Sequence, residues 1–416
     1  MKKYVVGGYV RDLLLGQKPQ DRDFVVVGSC IDDMLAAGFR QVGKGFPVFL
    51  HPDTNEEYAL ARREKKTGVK HGDFAFDFSP DITLFEDCRR RDFTCNALAL
   101  DEETGEIVDY FNGRRDIENK TLRMIDEDAF KEDPLRVLRA YRFAAVLDFD
   151  IEPHTESVLK KMIADGMLDA LPAERIWQET VKALRPAANS ARFFEGLANA
   201  GGLNGWFAEI NALLSVPEQK KYHLTGNSFK HTMAALTRVR NDDALVKWAV
   251  LTHDVGKGAT QPDILPHHHG HEARGLPLIG RLCDRLKTPN EYRDFALLFC
   301  REHMRLHRFN EMSAGKRYDL VRHISDNFRD RRLLDMFLRC FYADCHADSV
   351  VDEDEFNAVC NAVTQICDIM EGVSLNDLPP AQKETLSRLS GERFGAVYRD
   401  CMIEYMKQRL RISENQ

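Results

Sequence analysis

The stretch that most constrains this chain is its opening strand, turn and strand. An apolar run, Tyr4-Val5-Val6, stops at Gly7-Gly8, a short helical turn carries Arg11 and ends at Gly16, and Asp21-Arg22-Asp23 opens a second run, Val25-Val26-Val27. Side chains alternate along a strand, so Asp21 and Asp23 share one face with their carboxylates close together. Two such carboxylates repel unless a cation lies between them. Mg2+ suits them, because it prefers hard oxygen ligands and keeps positions open for phosphate oxygens. Gly7 and Gly8 let backbone N–H groups approach a polyphosphate, and Arg11 supplies positive charge to it.

The glycine pair followed by Asp-x-Asp, in the wording Gly7-Gly8-Tyr9-Val10-Arg11-Asp12 and Asp21-Arg22-Asp23, resembles the opening of the nucleotidyltransferase superfamily that includes polymerase beta. Within it, the pattern is similar to class II tRNA nucleotidyltransferases, the CCA-adding enzymes and bacterial poly(A) polymerases. The resemblance implies an α+β fold: a polymerase-beta-like head with a mixed sheet and helices, then an all-α neck and body. It assigns Gly8 and Arg11 to the bound nucleotide and Asp21 and Asp23 to catalysis through Mg2+.

Downstream of the metal strand, a helix with Ile31, Met34 and Leu35 inward and two strands, Phe46–Leu50 and Glu57–Ala61, are expected to extend the sheet. Glu57 is the nearest candidate for a third carboxylate. An exposed charged strand end accounts for it equally well. Residues 63–80 mix charges, glycines and aromatics without period and read as a loop over the site. The triplet Arg90-Arg91-Asp92 resembles the second motif of the family, which implies that Arg91 contacts the incoming triphosphate and Asp92 helps select ribose.

Asp133-Pro134 is a helix start, with the aspartate as N-cap and proline at N1. Arg136, Arg139 and Arg142 follow at spacings of three and line one side of that helix as a row of unpaired guanidiniums. Glu132-Asp133-x-x-Arg136 resembles the class II motif whose Asp and Arg offer a protein edge to the incoming base, and Arg139 joins the nucleotide-binding set. An aspartate can accept from the exocyclic amine of cytosine or adenine, and an arginine can donate to a ring nitrogen or carbonyl. Glu174-Arg175-Ile176 resembles the neck motif and is read as structural support.

Most of the 14 histidines lie beyond His223. His231, His253-Asp254 and Asp344 are spread over an apolar, helix-rich segment, and imidazole with carboxylate is a ligand set for divalent transition metals. The series resembles the HD superfamily of metal-dependent phosphohydrolases, which implies His231, His253, Asp254 and Asp344 as ligands, His253 and Asp254 as catalytic, and Ni2+ or another divalent transition metal as the ion. His271 and His303 are further candidates. The expected organisation is a catalytic head over 1–127, a neck and body with the templating helix over 128–222, an HD domain over 223–348 and a helical tail over 349–416.

No apolar run reaches the roughly 18 residues of a bilayer span, and Met1-Lys2-Lys3 leads into a strand, so a cytoplasmic protein with no membrane role is expected. The ten cysteines include no Cys-x-x-Cys pair and read as reduced thiols. A net charge of −8 argues against indiscriminate coating of nucleic acid, while the clustered arginines leave room for a local, salt-dependent RNA track. The resemblance implies a monomer or homodimer that adds CCA to tRNA from CTP and ATP without a nucleic-acid template. Its HD segment would act on 2′,3′-cyclic phosphates, 2′-nucleotides or simple phosphates. The rivals are a class II poly(A) polymerase, a nucleotidylating regulator paired with an HD domain, and, in another class, an RNA-binding scaffold with a degenerate site.

Overall fold

A computed structural model describes residues 1–19, 22–42, 47–66, 74–218, 226–326, 331–347 and 351–410. The chain forms two compact units, Met1–Ala183 with Ala188–Trp206, and Leu184–Ala187 with Phe207–Gln416.

The first unit is built on a seven-stranded sheet. Its strands are β1 (Lys2–Val6), β2 (Asp23–Val27), β3 (Arg40–Val42), β4 (Val48–Leu50), β5 (Glu57–Leu60), and, after the ribbon β6 (Arg63–Lys66) and β7 (Phe74–Asp77), β8 (Ala99–Asp101) and β9 (Ile107–Val108). The order is β3-β4-β5-β2-β1-β8-β9, with only β2 and β5 parallel. Alternation along these strands divides the core in two. Tyr4, Val6, Val25 and Ala61 pack with Ile82, Leu84 and Cys88 on one face. Val5, Phe24, Val26, Phe49, Tyr58 and Leu60 pack with Met34 and Phe39 on the other.

The helices that cover and extend the sheet are α1 (Gly8–Leu14), α2 (Ile31–Ala36), α3 (Leu84–Arg89), α4 (Gly113–Glu118), α5 (Glu127–Glu132), α6 (Leu135–Leu147), α7 (Pro153–Ala164), α8 (Ala173–Ala183) and α9 (Ser190–Asn199). A two-residue parallel bridge joins Thr121–Leu122 to Asp150–Ile151. Two expectations are corrected here. Leu35 is 46% exposed while Met34 is buried, because the short α2 turns only one narrow stripe inward. The 63–80 stretch is not a loop throughout: β6 and β7 pair antiparallel from Arg63 opposite Asp77 to Lys66 opposite Phe74. A ribbon is held by backbone hydrogen bonds and needs no apolar period along its whole length, which is why the pattern hid it.

The second unit is helical: α10 (Ala208–Ala212), α11 (Ser228–Arg238), α12 (Ala244–Thr252), α13 (His271–Leu286), α14 (Asn290–His307), α15 (Ala314–Asp326), α16 (Arg331–Cys345), α17 (Glu353–Gly372), α18 (Pro380–Ser387) and α19 (Gly391–Leu410). At its centre α12 buries Leu245 through Thr252 without interruption, so it is surrounded rather than amphipathic. Gly256 and Gly275 let the turn after α12 meet α13: a Cβ on Gly256 would lie 1.9 Å from the His271 carbonyl oxygen. No described helix is long and apolar enough to cross a membrane, and all ten cysteines are free thiols.

Candidate functional sites

In the first unit the parallel pairing of β2 with β5 sets Asp23 opposite Glu57, and β1 pairing sets it opposite Val6. Asp23 and Glu57 share the strand parity of Val25 and Ala61, so they sit on the face that α3 covers. They line a cavity of ≈ 200 Å³ together with Val6, Arg62, Arg90 and Arg91. Asp21 lies outside the described residues. The α3 helix starts with a capping box, Thr83 and Glu86 exchanging hydrogen bonds, and ends by presenting the arginines.

Asp87, fully buried, accepts from Arg91 Nη2 at 3.0 Å and pairs with Arg90 through its other oxygen. Burial would raise its pKa, but the Arg90 and Arg91 charges outweigh it and bring it down to about 2. Asp87 therefore stays ionised and holds Arg91. Gly7 has φ +74°, and a Cβ there would stand 3.7 Å from Arg91 Nη1, so the turn brings bare backbone to the guanidinium.

Arg11 begins a chain of polar contacts running away from that turn. Its Nη1 donates to Asn96 Oδ1 at 2.7 Å, Asn96 Nδ2 donates to Asp92 Oδ1 at 3.0 Å, and Arg139 Nε donates to Asp92 Oδ2 at 2.8 Å. Arg139 and Arg142 both reach Glu179 on α8, and Arg142 lies 3.8 Å over the Phe143 ring. Burial opposes ionisation of Asp92, yet Arg139 prevails and its pKa falls to about 2. Arg136 donates to the carbonyls of Ala129 at 2.7 Å and Arg90 at 2.6 Å. The expected row of unpaired guanidiniums is thus corrected. Each is engaged, because α6 packs against α8 and its arginines reach Arg90 and Asp92 just after α3.

Asp133 takes two donors from Arg175, at 3.2 and 2.9 Å, and accepts the Leu135 N–H at 3.1 Å. The expected cap is corrected: Pro134 is the N-cap of α6 and Asp133 ends α5, although its side chain still accepts the first N–H of α6 and also braces Arg175. Neither Asp133 nor Arg136 lines the Asp23 cavity.

The second unit gathers its histidines more tightly. His231 on α11, His253 and Asp254 after α12, His271 at the start of α13, His303 on α14 and Asp344 on α16 are all buried. His231 Nε2 lies 3.1 Å and His253 Nε2 3.4 Å from Asp344 Oδ1, and His271 Nε2 lies 3.1 Å from Asp254 Oδ1. Nδ1 of His253, His271 and His303 lies 2.7, 2.9 and 2.8 Å from the carbonyl oxygen three residues earlier. A carbonyl only accepts, so each Nδ1 carries a proton and each Nε2, which bears the lone pair when the ring is neutral, faces inward.

Two of those lone pairs, on His271 and His303, face each other at 3.0 Å, while His253 Nε2 and Asp254 Oδ1 make no hydrogen bond. Burial would lower the pKa of His253, but Asp254 and Asp344 push it up to about 10. Burial, then His271 and His253, push His303 down to about 3. The carboxylates thus hold a proton on His253, and an ion would take that proton's place: the inward nitrogens with the carboxylates are the donor set of a transition metal ion. His231, His253 and Asp344 form one group able to hold an ion, and His253, Asp254 and His303 another.

Sequence reasoning did not single out three neighbours. Lys257 Nζ lies 2.7 Å from Asp254 Oδ2 and 2.9 Å from Glu218 Oε1, and His307 Nε2 lies 2.9 Å from Asp344 Oδ2. The spacing of His307, four residues after His303 on one helix face, was the available signal. Glu218 has no local signal, since its partner Lys257 lies 39 residues further along the chain.

Residues 3–123 match the poly A polymerase head domain family, and residues 148–214 match the family described as the probable RNA and SrmB-binding site of polymerase A. The multifunctional CCA protein of Alkalilimnicola ehrlichii is 45% identical over 349 residues, covering 83% of this chain and 84% of that protein. The multifunctional CCA protein of Thioalkalivibrio sulfidiphilus is 48% identical over 317 residues, 75% of this chain and 77% of its own length. Among solved structures, the Thermotoga maritima CCA-adding enzyme complexed with tRNA has a TM-score of 0.63 at 21% identity over 100% of this chain and 88% of that one. A CCA-adding enzyme in apo form has 0.64 at 21% identity, with 97% and 88% covered. These two likenesses establish the shared fold.

Proposed function

Because the chain belongs to the family of multifunctional CCA proteins, we propose that it is a tRNA nucleotidyltransferase adding C, C and A to the 3′ end from CTP and ATP without a nucleic-acid template. The observation that carries this is the Asp23 and Glu57 register beside the Arg91 guanidinium at the Gly7 turn. A divalent ion bound by Asp21 and Asp23, with Glu57 as a third oxygen donor, would activate the RNA 3′-hydroxyl and neutralise the triphosphate. Arg91, held by Asp87, binds the phosphates, and Arg11 lies beside the Gly8 backbone that they approach. Asp92 fixes the sugar edge from a place set by Asn96 and Arg139. Asp133 and Arg136 select the base.

The second unit, in this reading, is a phosphohydrolase acting on 2′,3′-cyclic phosphates, 2′-nucleotides or simple phosphates. His231, His253, Asp254 and Asp344 would hold Ni2+ or a similar ion, which would polarise the phosphate and supply hydroxide. The rings are aimed by their carbonyl partners, and Lys257 offsets the carboxylate charge.

One observation favours a second reading, since the head matches a family described by poly A polymerase. Incubating the protein with tRNA lacking its terminal CCA and with single nucleotides separates the two. Incorporation that uses CTP, CTP, then ATP and stops after three residues supports CCA addition. An open-ended A tail with ATP alone would replace it.

A further inference from the structure

A cavity of ≈ 300 Å³ on the first unit is lined by Asn112, Arg115, Asp116, Asn119 and Arg123 and is bounded by Phe111. It shares none of its lining with the Asp23 cavity. The chain builds it deliberately in local terms. Asp109 accepts the N–H groups of Phe111, Gly113 and Arg114, which turns the backbone from β9 into α4. Gly113 sits where a Cβ would be 2.3 Å from the Thr94 carbonyl oxygen, so α4 is seated hard against the segment after Asp92.

The negative charge in the cavity is already committed. Asp116 accepts from Thr94 Oγ1 at 2.7 Å and pairs with Arg123 at 3.2 Å. By contrast, among the described residues the side chains of Arg115, Asn112 and Asn119 have no hydrogen-bond or ion-pair partner. One uncommitted guanidinium and two amides with N–H donors facing one cavity form a receptor for an oxyanion.

Phe111, at the rim, is also one of three adjoining aromatic rings. Phe85 is stacked on it at 5.4 Å and meets Tyr110 edge-on at 5.4 Å, and Phe85 and Tyr110 are 41% and 45% exposed. Aromatic rings left in water beside a cavity with an uncommitted arginine are the combination that holds a single nucleic-acid strand, base on ring and phosphate on arginine.

We propose that this face is an RNA-binding subsite: Arg115 with Asn112 and Asn119 takes a backbone phosphate of the tRNA, and Phe85 or Tyr110 stacks an adjacent unpaired base. The inference rests on the reading that tRNA is the acceptor. It adds a contact surface outside the nucleotide cavity.

The test uses the full-length protein, tRNA lacking CCA, and the variants Arg115→Ala, Arg115→Lys and Phe85→Ala with Tyr110→Ala, each checked for an unchanged melting temperature. Binding of tRNA without nucleotide is measured across a salt series, and C incorporation is measured at varied tRNA and varied CTP. Arg115→Ala and the aromatic pair should each raise the Kd and KM for tRNA roughly tenfold with KM for CTP unchanged. The salt slope should fall by about one for Arg115→Ala and be restored by Arg115→Lys. Unchanged tRNA affinity in folded variants overturns the proposal. So does a loss of kcat at constant KM, which would make the face a packing element, or a change only in oligomeric state, which would make it a protein interface. Wild-type protein that binds tRNA yet adds no C would instead defeat the CCA-adding reading and leave this one standing.

Discussion

At the scale of single residues, the first unit is organised by carboxylates that keep their charge inside the protein. Asp87 has a pKa of about 2 in the fold against an ordinary value of 3.8. A folded value below the unfolded one means that stability is fully present above about pH 4 and is lost as pH falls toward 2. At neutral pH the difference corresponds to about 2 kcal/mol. Asp87→Asn leaves two arginines without their buried partner and is expected to destabilise the protein by about 3 kcal/mol at pH 7. The gap from wild type should narrow by pH 3, and urea unfolding at both pH values reads it. A gap that does not change with pH would mean that packing, not charge, is what the substitution disturbs. Asp23→Ala should lower C and A addition together, by roughly a thousandfold or more, because in the proposed reading one ion-binding edge serves every step. The same is expected of Asp21→Ala. Near-normal incorporation in Mg2+ by either folded variant would remove these carboxylates from the chemistry.

At the scale of elements, what could be read along the chain and what could not separates by how local the cause is. The Gly7-Gly8 turn and the β2 strand are local and form where the pattern puts them, and the helix start at Asp133-Pro134 is displaced by a single residue, with Pro134 as the N-cap of α6. The pairing of Asp23 with Glu57 depends on β5 returning parallel to β2 across a sheet whose order no local pattern encodes. The arginines of α6 have partners supplied by Asp92 and by Glu179 on α8, 47 and 37 residues away, so from sequence they look like an exposed row. This bears on base selection. Asp133 offers its oxygens to Arg175 at 2.9 and 3.2 Å, the same acceptors a cytosine or adenine amine would use. Asp133→Ala is expected to weaken discrimination against UTP and GTP by roughly tenfold to a hundredfold, since a wrong base would no longer leave a buried group unpaired. Misincorporation kinetics for all four nucleotides, with Arg175→Ala in parallel, checks it. If both variants lose stability equally and keep wild-type selectivity, the pair is only a brace between the start of α6 and α8.

At the scale of the whole molecule, the two candidate sites, chemically different, fall one in each of the two compact units. The His253-Asp254 doublet and the other imidazoles were visible in the sequence. Their convergence was implied by the resemblance alone and not by any local pattern, because it depends on α11, α12, α13, α14 and α16 packing together, and that packing also sets His307 on Asp344 and Lys257 on Asp254. The Asp23 edge offers hard oxygens, whereas the second cluster offers inward imidazole nitrogens, so the two should differ in metal preference as well as in reaction. His253→Ala with Asp254→Ala should eliminate hydrolysis of 2′,3′-cyclic phosphates and simple phosphate esters while CCA addition in Mg2+ stays within about twofold of wild type, as expected of sites that share no residues and no partners. Asp23→Ala should do the reverse. Both activities are measured on both variants after chelation and readdition of Mg2+ or Ni2+, with Ni2+ restoring hydrolysis preferentially. Loss of CCA addition in the folded His253 and Asp254 variant would make the histidine cluster part of the transferase. Hydrolysis that survives the loss of two inward-facing ligands would mean that the cluster, however well formed for an ion, is a structural knot and the phosphohydrolase reading is wrong.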